Sequence, residues 1–409
     1  MQEIGRAGRD GRPAIARAMV LRQDVVEQIS LSHTGGVARS QIEEFLAVAA
    51  EAARDVIGDV PEAVREGMIF SELKVSIPVL KSVNRCDLRA ETVETLLSLM
   101  EEEEFGSLLE LEGGLADVCV VILKRRKLEE LAKTEPVAAC ILRVGTLVSG
   151  ADANARLEEE GGTAMEKGFH AYALGNYSFS VVRVANAMGS GCEPRNVYAA
   201  LRRLEVRGEL ETLLDTGVRG KGFGVKLNKR GVEVFRSGRM EEVADKLVER
   251  MEAKEGKAEG KVKEVWSIMY RMFKLNKGDK DSRVRLFKHA VRGYFEGILV
   301  DAESEKLLST VNVPNVCKTS LSDADLRRCA SDVSKLRHDS RLSAESFVAG
   351  ALIADSSRDY GARAVANLLH GIDLPRQSMS LWWNDSFWGS WKDFDYSLVL
   401  KHCQTAFAV

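Results

Sequence analysis

Residues 2–14 read QEIGRAGRDGRPA. Gly5, Gly8 and Gly11 let the backbone turn tightly and come close to a ligand. Arg6 and Arg9 carry planar guanidinium forks that pair bidentately with phosphate oxygens, and Gln2 adds a polar side chain beside them. Residue types and spacing describe half of a phosphate site. The same spacing also fits a surface loop with two arginines, because glycine every third residue is common. A second basic set lies far along the chain, with Arg195, Asn196, Arg202, Arg203 and Arg207 in PRNVYAALRRLEVRGEL, and Arg219, Lys221 and Lys226 in TGVRGKGFGVKL. The whole chain carries a net charge of −3, so any nucleic-acid footprint has to be local. Between about 171 and 237 basic residues outnumber acidic ones by several, which is the excess that phosphate contacts require.

Other chemistry-bearing residues point less sharply. The seven cysteines are scattered, with no CxxC and no Cys–His pair at zinc-finger spacing. The six histidines form no HExxH, and His370 in LLHGI reads as structural. Zinc is therefore not supported by the sequence, and free thiols in a reduced intracellular protein are expected. Four of the five tryptophans fall in LWWNDSFWGSW, namely Trp382, Trp383, Trp388 and Trp391. They suit either base stacking or, as the preferred reading, the core of a small helical domain. Phe223 is a candidate wedge against an end base pair, with simple packing the preferred role. No apolar run reaches 18 residues and no signal-peptide core is present, so neither a membrane span nor secretion is expected.

The elements that must position these residues read as α+β and mostly helical. A length of 409 residues with 45% hydrophobic content allows roughly two to four domains. AIARAMVL suggests a strand. Ser40 and Glu43 suggest a capping box before a helix with Ile42, Phe45, Leu46 and Ala49 on one face, within a helical connector over 25–66. Over 67–148, FSELKVSIPVL reads as a strand, CDLRAETVETLLSLMEE as a helix capped by Asp87, and SLLELEGGLADVCVVIL as a hairpin around Gly113–Gly114. That order suggests a winged-helix-like domain. Residues 149–168 read as a linker. Over 169–237 a helix in SFSVVRVANAMG, a turn, a helix starting at Pro194 and a strand–turn–strand make a helix-turn-helix with a wing. Residues 240–409 form a helical C-terminal region that begins with a long helix, weakened at Gly256 and Gly260, whose Lys/Glu alternation reads as a solvated face.

The opening string resembles motif six of the RecQ DNA helicases through Gln2, Gly5-Arg6 and Gly8-Arg9-Asp10-Gly11. The resemblance implies that residues 1–24 are the end of the second RecA-like motor lobe. Arg9 would be the arginine finger at the γ-phosphate, Arg6 its support, and Gln2, Gly5 and Gly8 would lie at the nucleotide. Such an arginine stabilises the transferred phosphoryl group, by on the order of 10³–10⁵ in rate in other NTPases. The rest of the chain is most similar to the type-four class associated with Rothmund–Thomson syndrome. That likeness runs through IPVLKSVNRCDLRAETVETLLSLMEE, VVRVANAMG, VYAALRRLE, TGVRGKGFGVKL, RAVANLLHGI and FWGSW, in one order.

The departures are equally specific. No Walker A loop is present; GVRGKGFG has the glycines and a lysine but no following Ser or Thr. The zinc ligands of the family are missing as well. The expectation is the C-terminal region of an ATP-dependent 3′–5′ DNA helicase of replication and repair, inactive as an ATPase alone. ATP and magnesium would be held mainly by a motor portion that this sequence lacks. DNA is the implied partner, protein partners of replication and repair are further candidates, and the nucleus is the implied location. The runner-up is a non-enzymatic winged-helix DNA-binding or adaptor protein carrying a helicase remnant, and a third reading is a module that binds protein.

Overall fold

The structure is a computed structural model that describes residues 20–59, 73–148, 175–189, 191–214, 220–237, 240–274, 284, 286–287, 309–339, 357–373 and 382–408. It is a mixed α+β fold in which helix predominates. The expected strand AIARAMVL and the linker 149–168 lie outside the described residues, apart from Val20 and Leu21, which lead into a helix.

Two helices come first, α1 (Arg22–Ser32) and α2 (Arg39–Asp59). The start of α2 departs from the expected capping box. Ser40 is buried in the first turn, and Gln41 does the capping: its Oε1 accepts the Ala38 N–H at 2.9 Å. The Gln41 amide donates to the carbonyls of Cys86 and Asp87, 3.0 Å each.

Strand β1 (Leu73–Pro78) stops where Pro78 withdraws a backbone donor, and α3 (Val79–Cys86) follows at once. Asp87 is not the N-cap of the next helix. It sits at φ 49° and ends α3, and α4 (Ala90–Glu101) starts three residues later. Strand β2 (Leu109–Ala116) runs straight through Gly113–Gly114, so the expected hairpin turn is absent. Those glycines instead accommodate a register shift against a partner strand between Leu111 and Gly113, with Gly113 at φ 97°, a bulge geometry that favours glycine.

Next come β3 (Val118–Leu123), α5 (Leu128–Leu131), α6 (Pro136–Val144), β4 (Thr146–Val148) and β5 (Asn176–Ser180). Phe179 was expected on a helix but lies in β5 opposite Cys119. The helix α7 (Val181–Met188) begins only after Ser180, whose Oγ caps it by accepting the Arg183 N–H at 3.2 Å. Helix α8 (Pro194–Val206) starts at its proline and buries Val197, Ala200, Leu201 and Leu204. Strands β6 (Leu210–Leu214) and β7 (Lys221–Leu227) and helix α9 (Lys229–Ser237) follow.

Strand pairing corrects the expected layout of two consecutive, self-contained hairpins. One sheet has the order β1-β7-β2 and the other β4-β5-β3-β6. The succession strand–helix–helix–strand occurs twice, as β1-α3-α4-β2 and as β5-α7-α8-β6. The strand that follows each set joins the sheet of the other: β3 leaves β2 to lie between β5 and β6, while β7 leaves β6 to lie between β1 and β2. Each core therefore depends on a strand from the other half. Phe223, Val225 and Leu227 of β7 are buried with Phe45, Leu97 and Met100. Cys119, Val121 and Leu123 of β3 are buried with Ile141, Leu201 and Leu204. Burial stabilises by roughly 1.5–3 kcal/mol per large apolar side chain, enough to hold the exchange.

Asp117, the single residue between β2 and β3, marks the crossing. Its N–H donates to the Gly220 carbonyl at 2.8 Å. Its buried carboxylate accepts from Ser180 Oγ (2.9 Å) and Val182 N–H (3.0 Å) at the start of α7. Burial pushes the Asp117 carboxyl above its usual range, against the hydrogen bonds that favour the ion. Asp117→Ala should cost about 1–3 kcal/mol in urea unfolding. Asp117→Asn should cost much less, because an amide oxygen keeps both bonds without the buried charge. An ionised form disfavoured by folding loses stability as pH rises through the carboxylate range, so Asp117→Asn should flatten that part of the pH–stability curve.

By internal contacts the chain divides into two compact units, Val37–Met251 with Ser343–Tyr360, and Met1–Gly36 with Glu252–Leu342 and Gly361–Val409. The exchanged sheets belong to the first. The second is helical, built from α1, the later part of α10 (Glu241–Lys274), α11 (Asp323–Arg337), α12 (Ser357–Leu369) and α13 (Tyr396–Ala408). Gly256 and Gly260 leave α10 uninterrupted. Its charged face is not solvated throughout, since Glu259 is buried and Glu255 nearly so. Trp382 and Trp391 fill the core with Tyr396 and Leu369, whereas Trp383 is 62% exposed.

Candidate nucleic-acid interface

Helix α8 follows α7 through a short turn that includes Gly189, Gly191 and Glu193, and its apolar stripe faces the second core. An α-helix brings residues three and four apart onto one side. With Val197, Ala200, Leu201 and Leu204 turned inward, Arg195, Asn196, Ala199, Arg202 and Arg203 stand exposed on the opposite side, and Val206 is 81% exposed at its end. Arg195 and Arg202 are two turns apart, about 10 Å. A helix of about 10–12 Å diameter fits the roughly 12 Å wide major groove of a duplex.

Charge pairing separates these cations from their neighbours. Arg195, Arg202 and Arg203 make no ion pair among the described residues. Arg207 Nη2 is held by Glu135 at 2.5 Å, and Lys226 lies 3.9 Å from Glu110. Asn196 is partly committed, since its side chain lies by the Cys192 thiol and lowers it against the effect of burial. At the start of the helix Glu193 bonds Lys74 (2.6 Å), which Glu112 also pairs (3.0 Å). The Lys74 ammonium holds the Glu193 carboxyl below its usual range.

The expected wing is not a hairpin here. Lys221 is exposed but begins β7, paired with Ala116 at the strand crossing. Phe223 lies inside β7 opposite Ile77 and is buried, which removes it as a wedge and leaves the packing role. Arg219 lies outside the described residues, as do Gln2, Gly5, Arg6, Gly8 and Arg9. The helix α4, which holds the place of α8 in the other half, is acidic on its exposed side through Glu91 and Glu94 and runs into Glu101–Glu104. Arg250 pairs with Glu102 (2.8 Å) and Glu104 (3.6 Å). The same architecture thus presents one cationic helix and one that repels phosphate.

Composition and periodicity do not reveal a buried ionic cluster in the helical unit. His33 lies with Nδ1 3.4 Å from Glu255 Oε1 and Nε2 3.4 Å from Glu259 Oε2. Arg363 clasps Glu255 through two bonds, 2.9 and 3.1 Å. The one local signal was a pair of glutamates a turn apart on α10, which the surrounding Lys/Glu alternation hides. His370 is buried beside it, consistent with its structural reading.

Among the described residues no group of three or more His, Cys, Asp or Glu is placed to hold a metal ion, and no helix is long and apolar enough to cross a membrane. Neither a protein-family model nor a curated protein matches this chain.

Proposed function

We propose that residues 73–227 form a pair of winged helices that share strands, and that the second of them binds duplex or fork DNA through α8. The observation that carries this reading is the set of exposed guanidinium groups of Arg195, Arg202 and Arg203, which make no close ion pair among the described residues although Arg195 acts on Glu193 at long range, on the second helix of a helix–turn–helix. Phosphate contacts of this kind fix position and supply affinity without sequence readout. Asn196 on the same side of α8 and Lys221 at the start of β7 would add further contacts.

Within that reading the chain is the C-terminal region of a RecQ-type, ATP-dependent 3′–5′ DNA helicase acting in the nucleus. Its support is the opening string, where Arg9 and Arg6 would reach the γ-phosphate of ATP, with Gln2, Gly5 and Gly8 beside the nucleotide. Magnesium and the remaining phosphate contacts would come from a motor portion with a Walker A loop. The alternative is a DNA-binding or adaptor protein without ATPase activity, favoured by the lack of a Walker A loop in this sequence.

The DNA reading predicts a salt signature. Each phosphate contact contributes about 0.9 to the slope of log K against log salt on duplex DNA. Arg202→Ala with Arg203→Ala should reduce the slope for a 20-base-pair duplex by about 1.8, measured by fluorescence anisotropy. Glu91→Gln with Glu94→Gln on α4 should leave it unchanged. An unaltered slope in the arginine variant removes α8 from the interface, and a folded chain that ignores DNA at low salt favours a protein-binding role.

A further inference from the structure

The ionic cluster around His33 is not used by DNA binding, and its arrangement is specific. The His33 side chain is 4% exposed and stands just past the C-terminal end of α1, between two carboxylates one turn apart on α10. A neutral imidazole has one N–H and one bare nitrogen, and only the imidazolium offers a donor on both sides. Glu255 and Glu259 therefore suit the protonated ring. The ring also lies flat on Tyr396, with centroids 4.0 Å apart and planes 15° from parallel, and a cation over an aromatic face is attracted by the ring's quadrupole.

The charged groups around it close the balance. From α10, Lys263 pairs with Glu259 and lies 3.3 Å from Asp395. From α12, Arg363 binds Glu255, and Glu252 acts on it from further along α10. Among the groups in direct contact, leaving aside the exposed Glu252, the cations His33, Arg363 and Lys263 face the carboxylates of Glu255, Glu259 and Asp395 when His33 is protonated. Loss of one proton leaves an uncompensated negative charge in a buried site. The buried titratable neighbours outside these pairs stay neutral. Burial drives His370 down to about 3, with its Nδ1 3.5 Å from Ser30 Oγ. Burial also raises the Tyr396 hydroxyl and the thiols of Cys317 and Cys403.

We propose that His33 is a proton-operated latch: as imidazolium it fastens the end of α1 onto α10 and α13, and on losing its proton it loosens α1. The direction follows from the opposing influences on the ring. Burial lowers its proton affinity, but the carboxylates of Glu255 and Glu259, each 3.4 Å from a ring nitrogen, raise it by more, to a net value above the ordinary 6.5. A group whose folded value is raised gives stability that is complete below its unfolded value and is lost as pH rises through the folded one. The latch is closed at mildly acidic pH and opens on the alkaline side.

The test uses the full chain. The His33 ring is titrated by NMR, and amide exchange across Arg22–Ser32 is followed with pH after division by the intrinsic exchange rate. His33 should titrate above 6.5, and exchange in α1 should accelerate through that midpoint, tenfold for each pH unit by which it exceeds 6.5. His33→Gln should abolish the acceleration. Glu259→Gln should move the midpoint down by about a unit or more, which keeps the test decisive if the glutamine variant of His33 does not fold. A His33 midpoint at or below 6.5 overturns the latch. So does α1 protection that is flat through the midpoint, or a midpoint unmoved by Glu259→Gln.

Discussion

Replacing Arg363 by methionine should destabilise the helical unit by about 3–5 kcal/mol, the range for stranding one member of a buried ion pair. Methionine nearly preserves the volume and apolar character of the arginine stem, so the loss reports on charge. The guanidinium holds both oxygens of Glu255 at 2.9 and 3.1 Å in a nearly dry site. Without it, the ion-pair contact left to Glu255 among the described residues is the one to His33 at 3.4 Å. The pair itself contributes less than its removal costs, because both ions were desolvated to form it. Arg363→Met combined with Glu255→Gln should therefore recover part of the loss, with a coupling of about 0.5–3 kcal/mol. Urea unfolding with amide exchange across α12 measures both quantities, and additive single effects would remove the pair from the account. Gly36 supplies a check that leaves every charge in place. A Cβ on Gly36 would overlap Arg363 Nη1 and Glu255 Oε1, so Gly36→Ala should weaken the same cluster by forcing the fork apart.

What the sequence discloses about this fold is local. The face of α8 could be read from Val197, Ala200, Leu201 and Leu204, because a 3.6-residue period and Pro194 at the start are properties of adjacent residues. Candidate phosphate contacts were legible for the same reason, since the residues opposite that stripe are arginines. Strand partnership was not legible. Alternation identifies β2, β3, β6 and β7 as strands but carries no term for which strand each one joins. The Gly113–Gly114 pair gives the same composition for a hairpin turn and for a bulge in a continuous strand. Phe223 shows the consequence: on a hairpin it would stand at a wing tip, whereas the exchange buries it in the other half's sheet. His33 and Glu255 are more than two hundred residues apart, and no spacing rule joins them. Ser180 is a subtler case, where an apolar run reads as one helix and the N-cap divides it into strand and helix.

Gly231→Ala on α9 should be a strongly damaging single-methyl addition, with a net cost of about 1–5 kcal/mol. Two effects oppose. Alanine in place of glycine inside a helix gains about 1 kcal/mol in propensity. Against this, a Cβ at 231 would fall on the Leu108 carbonyl oxygen and lie 3.1 Å from its carbon. Backbone atoms cannot rotate away as a side chain can. That oxygen also accepts the Asn228 N–H at 3.3 Å, and Asn228 Oδ1 in turn accepts the Gly231 N–H at 2.8 Å to start α9. Relief therefore requires α9 to back away from the entry to β2. This costs the Asn228–Leu108 bond, about 1–3 kcal/mol when buried, and disturbs the packing of Val232 and Phe235, which are buried in the first core. Overpacking of this kind costs about 1–3 kcal/mol more. The opposite sign is expected at Gly256, on the exposed face of α10 with nothing within 4 Å of a Cβ. There Gly256→Ala should stabilise by about 0.4–1 kcal/mol through the unfolded chain. Urea midpoints of the two variants compare one chemical change in two settings. A Gly231→Ala chain as stable as the parent would mean that α9 does not press on the Leu108 carbonyl.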